Sequence, residues 1–247
     1  MRFDELSIAP NERALILGGT GAGKSELEHQ MLRNALKKYP FSQHLVLDSK
    51  PRFKATWKLS GLKKRYPGME YGEKIGGAVL VEEPEDIDTA YKRGFQIALA
   101  QISDDKDEKD EYGRLTWIAQ KFYSGASGSR ERFLWIDEGM DYYSENGMKI
   151  RGSSGSILRT ARAGRERGMA MIFCSQRARG IPGQVLSEMT RLYLFRMDHS
   201  ADVKYLETMG APQIEPPEED HLFWYWNKKT RRERPVLLTL KIPARSR

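Results

Sequence analysis

The sequence has a single cysteine, no long apolar run and no histidines at metal-ligand spacing. Because Cys174 is alone among 247 residues, no disulfide can form within the chain, which favours a reducing, cytosolic setting. No stretch approaches the ~18 apolar residues of a membrane span, and residues 1–13 lack the apolar core of a signal peptide. Cys174 lies in an apolar run, where we expect a small buried hydrophobe. The histidines are scattered, so the sequence predicts no zinc site; they are His29, His44, His199 and His221.

A glycine-rich segment, GGTGAGKS, occupies residues 18–25 between the apolar run 14–17 and a helix-patterned stretch at 26–38. A buried strand that ends in such a loop, followed by a helix N-terminus, presents backbone N–H groups to a phosphate chain. The expected binding residues are Gly18, Gly19, Thr20, Gly21, Ala22, Gly23, Lys24 and Ser25. Lys24 would reach the β- and γ-phosphates, and Ser25 would ligate Mg²⁺. The alternative is a flexible glycine turn, but the context favours a nucleoside triphosphate site.

Apolar runs alternate with helix-patterned segments along the whole chain, and no internal repeat is present. Strands are predicted at 14–17, 44–48, 78–81, 133–136, 170–174 and 192–195, and helices at 26–38, 85–101, 114–123 and 156–168. We expect an exposed loop at 103–112 and a Gly/Ser turn at 124–129. Two β-rich runs, 221–226 and 236–242, predict a C-terminal hairpin at a sheet edge. The pattern indicates one α/β domain over residues 1–247, with a doubly wound, mostly parallel sheet and ligands at the strand carboxyl ends.

Three polar residues follow two of these predicted strands. Asp137 ends the run Phe133–Ile136 and is expected to hold Mg²⁺ through its water shell; Glu138 is the candidate to polarise the attacking water. Gln176 closes the next strand at the same edge, where an amide could contact the γ-phosphate or water. The alternatives are that the two acids cap a turn and that Gln176 merely ends a strand.

Arginine is concentrated between residues 151 and 191, where lysine is missing. Its planar fork suits bidentate phosphate contact, so one or two of these residues could complete the nucleotide site of a neighbouring subunit. The candidates are Arg159, Arg162, Arg165 and Arg167, among which the sequence does not choose. Surface ion pairs, or contacts to DNA phosphates, are the competing interpretations.

The net charge of +7 is unevenly distributed. Residues 50–65 carry seven basic residues and no acid, and residues 228–247 carry eight basic residues against Glu233. Segregated positive charge favours a polyanion such as nucleic acid, although an ordinary solvated surface explains the charge equally well.

The segment 161–197, ARAGRERGMAMIFCSQRARGIPGQVLSEMTRLYLFRM, resembles the sensor-glutamine region of FtsK–HerA superfamily ATPases. LDSK at 47–50 is similar to the D-x-K that ends the family's second strand, and GGTGAGKS and FLWIDE match its Walker A and Walker B motifs. The resemblance covers about 13–50 and 133–206. It implies a RecA-like P-loop NTPase, ATP and Mg²⁺ as ligands, and the stated roles for Lys24, Ser25, Asp137, Glu138 and Gln176. The family's arginine finger has no unambiguous match.

Compact, single-domain members of this superfamily include the genome-packaging ATPases of tailless, membrane-containing icosahedral viruses. The leading hypothesis is therefore a homohexameric motor that moves double-stranded DNA into a preformed capsid, without sequence preference, with loops 49–58 and 177–183 as candidates for DNA contact. We expect it in the host cytoplasm or at a virion vertex, with capsid vertex or portal proteins as partners and without membrane insertion. Open alternatives are a HerA-like or conjugative translocase, a small-molecule kinase, and a nucleotide-binding scaffold.

Overall fold

The computed structural model of the chain describes residues 6–51, 57, 77–103, 105–125, 130–143, 155–230 and 234–240. Within these ranges nine strands form one sheet in the order β3-β4-β2-β5-β6-β1-β7-β8-β9. The strands are β1 (Arg13–Leu17), β2 (Gln43–Pro51), β3 (Ala78–Leu80), β4 (Ile97–Ile102), β5 (Arg132–Asp137), β6 (Met169–Ser175), β7 (Arg191–Phe195), β8 (Leu222–Asn227) and β9 (Val236–Thr239). All pairs from β3 to β7 are parallel.

Helices cover both faces of this sheet, which confirms the expected α/β class. They are α1 (Lys24–Lys38), α2 (Asp86–Lys92), α3 (Glu108–Ser124), α4 (Gly155–Ala163), α5 (Gly183–Glu188) and α6 (Ser200–Thr208), with 3₁₀ turns at Gly139–Tyr142, Gly164–Arg167 and Lys228–Thr230. Alternate side chains of each central strand belong to two separate cores. Ile16 and Trp135 pack with α1, whereas Leu15 and Ile136 pack with helices α2 to α6.

The parallel part of the sheet ends at β7, and the two strands beyond it form the expected hairpin. β8 pairs antiparallel with β7, and β9 pairs antiparallel with β8 at the sheet edge. The predicted second strand extended to residue 242, but β9 ends at Thr239, and 241–247 fall outside the described residues. The hairpin therefore confirms the predicted position at an edge of the sheet.

The helix predicted over 85–101 is wrong. Helix α2 stops at Lys92, the chain turns at Gly94 with φ of 90°, and Ile97–Ile102 forms the buried strand β4. The run IALAQI is compatible with a helix by composition, but it lies between β2 and β3, and burial on both faces favours a parallel strand. Tertiary packing thus overrides local preference here.

The exposed loop predicted at 103–112 is also shorter than expected, because α3 begins at Glu108. Glu111 is buried: its carboxylate accepts a hydrogen bond from the Ser103 N–H at 2.7 Å and pairs with Arg114 at 2.6 Å. These partners compensate the burial of a charged group, so a polar sequence packs as a helix. Most of the predicted Gly/Ser turn, 126–129, lies outside the described residues.

The strand order determines where the candidate site residues meet. Strand β6 lies between β1 and β5. The glycine-rich loop follows β1, Gln176 follows β6, and Asp137 ends β5. Because carboxyl ends of parallel strands share one edge, these three chain segments emerge side by side where ligands bind in such sheets.

Candidate functional site

The glycine-rich loop spans residues 18–23 and connects β1 directly to α1. It is held from one side by the segment after β7, since the Gly19 N–H donates to the Arg196 carbonyl at 2.7 Å, and from the other by the His221 N–H, which donates to the Ala22 carbonyl at 2.9 Å. Gly23 has φ of 112°, and an added Cβ would lie 3.1 Å from the His221 ring. Only glycine meets both demands. Thr20 is exposed, Ala22 is buried, and Gly18 and Gly21 complete the turn.

Helix α1 begins with the two residues expected to bind phosphate and Mg²⁺. The backbone N–H groups of a first helical turn lack intrahelical partners and attract anions. Lys24 is 7% exposed, and its ammonium donates to the Gly19 carbonyl at 3.0 Å, across the loop. Ser25 is half-buried beside it. Loop, helix terminus and lysine therefore form one cationic concavity suited to a phosphate group.

Two adjacent acids stand at the end of β5. Asp137 is 1% and Glu138 5% exposed, and Asp137 lies in register with Asp48 of β2. Glu138 has φ of 47° and ψ of 52°, a left-handed conformation that costs a non-glycine residue about 1–3 kcal/mol. Glycine follows because the Phe173 ring occupies the space that a Cβ at Gly139 would need. The strained backbone holds the Glu138 carboxylate at the strand-end cleft.

Gln176 connects the glycine-rich loop with Glu138. Its Nε2 donates to Glu138 Oε1 at 2.6 Å, and its backbone N–H donates to Glu138 Oε2 at 3.2 Å. On the other side, the Thr20 hydroxyl donates to Gln176 Oε1 at 3.0 Å. The amide uses its donor and its acceptor at the same time. A change in the position of Thr20 would therefore alter the hydrogen bonds of Glu138, and a change at Glu138 would alter those of Thr20.

Lys50 was not among the predicted site residues, although it ends the LDSK motif. Its Nζ lies 3.5 Å from Asp137 Oδ2 and 3.5 Å from Glu138 Oε1. Burial lowers the pKa of Lys50, but the carboxylates of Asp137 and Glu138 more than offset it, and the pKa lies above its ordinary value. Lys50 is thus a built-in counter-ion for both acids.

Asp48, the aspartate of the LDSK motif, is a further buried acid that was not among the predicted site residues. Its Oδ2 accepts from the Trp57 N–H at 2.8 Å and from Gln101 Nε2 at 3.3 Å, and its Oδ1 accepts from the Lys50 N–H at 3.2 Å. Burial, and then the charge of Asp137, raise the pKa of Asp48 to about 6, with the hydrogen bonds acting in the opposite direction. Asp48 therefore fixes the backbone that carries Lys50.

The four candidate arginines lie apart from this cleft within the chain. Arg159 and Arg162 are on α4, and Arg165 and Arg167 are on the 3₁₀ turn that follows; all four are exposed. Helix α4 packs on the face of the sheet opposite α1, and the Arg167 guanidinium lies 4.6 Å from the Tyr123 ring centroid. Any role at a nucleotide would require a second copy of the chain.

The candidate DNA-contact segments are only partly described. Residues 52–56 and 58 of loop 49–58 lie outside the described residues, as do most of the basic stretch 50–65 and residues 231–233 and 241–247. Trp57 is fully buried, so it cannot stack on bases. In loop 177–183, Arg177 Nε donates to Asp202 Oδ2 at 2.6 Å, and the Ala178 and Arg179 N–H groups donate to Asp202 Oδ1. Asp202 therefore anchors the chain directly after Gln176.

The fold and the loop between β1 and α1 define the class: a P-loop NTPase fold with a mostly parallel sheet, as the resemblance implied. The sequence matches no family model and no curated protein. The solved structures to which the chain is similar include the genome-packaging NTPase of Sulfolobus turreted icosahedral virus 2 in complex with ATP-gammaS. The identity is 13% and the TM-score 0.61, with 95% of this chain and 100% of that chain covered.

Two further neighbours belong to the same structural group. The DNA-packaging ATPase of Sulfolobus turreted icosahedral virus is 16% identical with a TM-score of 0.57, covering 96% of this chain and 100% of that one. The conjugation coupling protein TcpA of pCW3 is 16% identical with a TM-score of 0.55, covering 93% of this chain and 60% of that one. These neighbours agree with the FtsK–HerA resemblance at the level of the fold. Among the described residues, no helix is both long and apolar enough to cross a membrane.

Proposed function

We propose that the chain is an ATPase that couples ATP hydrolysis to translocation of double-stranded DNA, and that it packages a viral genome into a preformed capsid. The observation that carries the proposal is the Thr20–Gln176–Glu138 chain of hydrogen bonds, which joins the phosphate-binding loop to the candidate base. A motor needs its hydrolytic residue to respond to the bound phosphates, and this connection supplies such a response. The packaging role is supported by the likeness to two viral packaging enzymes.

The residues at the cleft have the chemistry that a triphosphate requires. Gly18–Gly23 and the first turn of α1 would bind the β- and γ-phosphates through backbone N–H groups, with Lys24 adding charge. A serine hydroxyl and a carboxylate are hard oxygen donors that fit Mg²⁺, so Ser25 and Asp137 would hold it. When bound, Mg²⁺ neutralises charge on the phosphate oxygens.

Glu138 would accept a proton from the attacking water as general base. The two oxygens of Glu138 are engaged by Gln176 and Lys50. We therefore infer that Glu138 must exchange one of these partners for water, and that Gln176 links this exchange to Thr20 and the γ-phosphate. Lys50 would offset the repulsion between the Asp137 and Glu138 carboxylates while the nucleotide is absent.

The position of the arginines supports a homohexameric ring. Arg159, Arg162, Arg165 and Arg167 are exposed and lie across the sheet from α1, so one of them can serve only a neighbour's nucleotide. An arginine supplied in trans contributes about 10³–10⁵ to the rate of phosphoryl transfer. DNA would pass through the ring and be gripped at its phosphates, with capsid vertex or portal proteins as the docking partners.

A conjugative or HerA-like DNA translocase is the second candidate. It is favoured by the likeness to the pCW3 conjugation coupling protein TcpA, which spans 93% of this chain. The same cleft and ring would serve both functions, since both use phosphate contacts without base recognition. An assay of DNA entry into purified empty capsids distinguishes a packaging ATPase from a conjugative or a HerA-like translocase.

The central experiment measures ATP hydrolysis by the assembled protein with and without duplex DNA. We expect DNA to accelerate turnover, and we expect Glu138→Gln to bind ATP while its turnover falls at least ~100-fold. Glu83→Gln, an exposed acid beside α2, is the matched control and should retain full activity. Equal rates with and without DNA would contradict the motor. Unchanged turnover in Glu138→Gln would favour a kinase, and nucleotide binding without turnover in either protein would favour a scaffold.

A further inference from the structure

Glu28 is a buried acid whose carboxylate has no hydrogen-bond partner among the described residues. It lies on α1 one turn after Lys24, so both side chains point to the same face of the helix. It is 0% exposed, and neither carboxylate oxygen has a hydrogen-bond partner among the described residues. Burying a carboxyl group in this way costs free energy unless something compensates it. Nothing in the proposed ATPase mechanism uses Glu28.

Two potential metal ligands stand next to Glu28. One ligand atom each from Glu28, Asp137 and Cys174 lie within 4.8 Å of one another, and all three residues are at most 1% exposed. Asp137 ends β5, and Cys174 is the penultimate residue of β6 on the sheet face that α1 covers. The three side chains thus converge in the layer directly beneath the phosphate-binding loop.

The composition of this cluster selects the kind of cation. One soft sulfur and two hard carboxylate oxygens form a mixed set that suits the borderline cation Zn²⁺ in a tetrahedral site, whereas Mg²⁺ requires a near-octahedral set of oxygens. Burial raises the pKa of Glu28, with Asp137 adding to the effect, and burial likewise raises the pKa of the Cys174 thiol. Burial at this site therefore favours the neutral forms of both groups.

We propose that Glu28, Asp137 and Cys174 form a buried binding site for a thiophilic divalent cation, best matched by Zn²⁺. On binding, the cation replaces the protons of the Glu28 carboxyl and the Cys174 thiol, which pass to solvent, and three protein ligands surround it. Asp137 is shared with the proposed Mg²⁺ site. If the proposed function holds, occupancy by Zn²⁺ therefore competes with Mg²⁺ for Asp137 and inhibits ATP turnover.

Cobalt spectroscopy tests the site without any need for activity. Co²⁺ occupies zinc sites, and a thiolate ligand gives it an intense sulfur-to-cobalt absorption band. Since Cys174 is the only cysteine, any such band in a titration of the purified protein must come from this residue. We expect one equivalent of Co²⁺ to produce the band, Zn²⁺ to displace it, and a large excess of Mg²⁺ to leave it in place.

Two isosteric variants test Cys174 and Glu28 as ligands. Cys174→Ser should abolish the band. Loss of a residue that only supports a metal ligand lowers metal affinity by about 10–100-fold, and we expect Glu28→Gln to weaken Co²⁺ binding by at least this factor. Glu26→Gln, on the same helix, is the control and should bind as the unsubstituted protein does. As a second readout, Zn²⁺ should raise the unfolding temperature of the unsubstituted protein and not that of Glu28→Gln.

The outcomes separate this proposal from the ATPase proposal. A folded protein that gives no sulfur-to-cobalt band overturns the cation site, and Glu28 then holds a proton instead. A band of undiminished affinity in Glu28→Gln also overturns it. If Co²⁺ and Zn²⁺ bind as expected but the protein does not hydrolyse ATP, the cation site stands and the proposed function fails.

Discussion

Arg13 and Glu28, two buried charged residues near opposite ends of the parallel strands, differ in their hydrogen-bond partners. At the amino ends, Arg13 is 2% exposed and satisfies three carbonyls, donating to Ala161 at 2.8 Å, Thr160 at 3.0 Å and Met169 at 3.2 Å. At the carboxyl ends, buried acids lie beside one another, one backbone conformation is strained, and the Glu28 carboxylate has no hydrogen-bond partner within the described part of the chain. The amino ends are arranged for stability, and the carboxyl ends hold the groups that a ligand would satisfy.

This contrast predicts that substitutions at the two ends have different consequences. Carboxyl-end changes should alter turnover with little effect on folding, because contacts that form only when a ligand binds do not stabilise the folded chain. Amino-end changes should lower the free energy of unfolding and leave nucleotide affinity unchanged. The following variants test that separation.

Lys24→Ala should give the largest effect. Removing a charged group that stabilises the developing charge on the phosphate typically costs about 10²–10³ in rate. The folded chain loses one hydrogen bond, to the Gly19 carbonyl, and we expect the unfolding temperature to change little. Steady-state ATP hydrolysis and thermal unfolding are measured together, with Lys37→Ala at the exposed end of α1 as control. Full turnover in Lys24→Ala would refute the role of the loop.

Arg13→Met should lower the free energy of unfolding by about 3 kcal/mol, because three buried carbonyls each lose a donor worth about 1 kcal/mol. Urea unfolding measures the loss, and binding of a fluorescent ATP analogue should be unchanged in the folded fraction. Arg13→Lys retains the charge but not the fork that reaches three acceptors, so it should recover only part of the stability. A weakened affinity for the analogue in Arg13→Met would mean that the two ends are coupled.

The sequence predicted the carboxyl end better than the amino end, for a physical reason. Strand, loop and helix at residues 14–38 form one local unit, and the apolar run before Asp137 fixes its place at a strand end. The position of Gln176 beside Glu138, however, depends on β6 lying between β1 and β5. That strand order is a property of the whole sheet and not of any local pattern.

Contacts between distant segments were not predictable from patterns. Lys50 lies 87 residues from Asp137 in the sequence, and strands β2 to β5 lie between Glu28 and Cys174. The helix expected at 85–101 failed for the same reason, since burial between two strands decided the structure of residues 97–102. The assignment of residues 1–247 to one domain, and the roles of the site residues, stay predictions.

His44, near the amino end of β2, predicts a pH dependence of stability. Its ring accepts from Trp135 Nε1 at 3.1 Å and lies 2.7 Å from the Ser42 hydroxyl, and burial lowers its pKa to about 3. In the unfolded chain the pKa of His44 has its ordinary value of ~6.5. Between this pH and pH 3 the unfolded chain binds more protons than the folded protein, so stability present above pH 6.5 is lost as the pH falls towards 3.

Between pH 7 and pH 5 we expect His44 to lower the free energy of unfolding by about 2 kcal/mol, at ~1.4 kcal/mol for each pH unit below 6.5. Urea unfolding at both values measures the loss, and His44→Gln should reduce it by this amount. His199→Gln removes an exposed histidine and should leave the loss as it is. An equal pH effect in His44→Gln and the unsubstituted protein would show that His44 is not the group responsible.

The smallest expected effect falls on the hydrogen bond between Thr20 and Gln176. Thr20→Val keeps the shape of the side chain and removes the hydroxyl that donates to Gln176 Oε1. Because this bond is exposed, its loss should cost only about 0.5–1 kcal/mol, a two- to fivefold fall in ATP turnover with no change in unfolding temperature. Thr20→Ser retains the hydroxyl and should restore the rate. If Thr20→Val lowered ATP affinity and left turnover of the bound nucleotide intact, the hydrogen bond between Thr20 and Gln176 would not connect ATP binding to Glu138. The carboxyl end would then hold a binding loop and a hydrolytic pair that act independently.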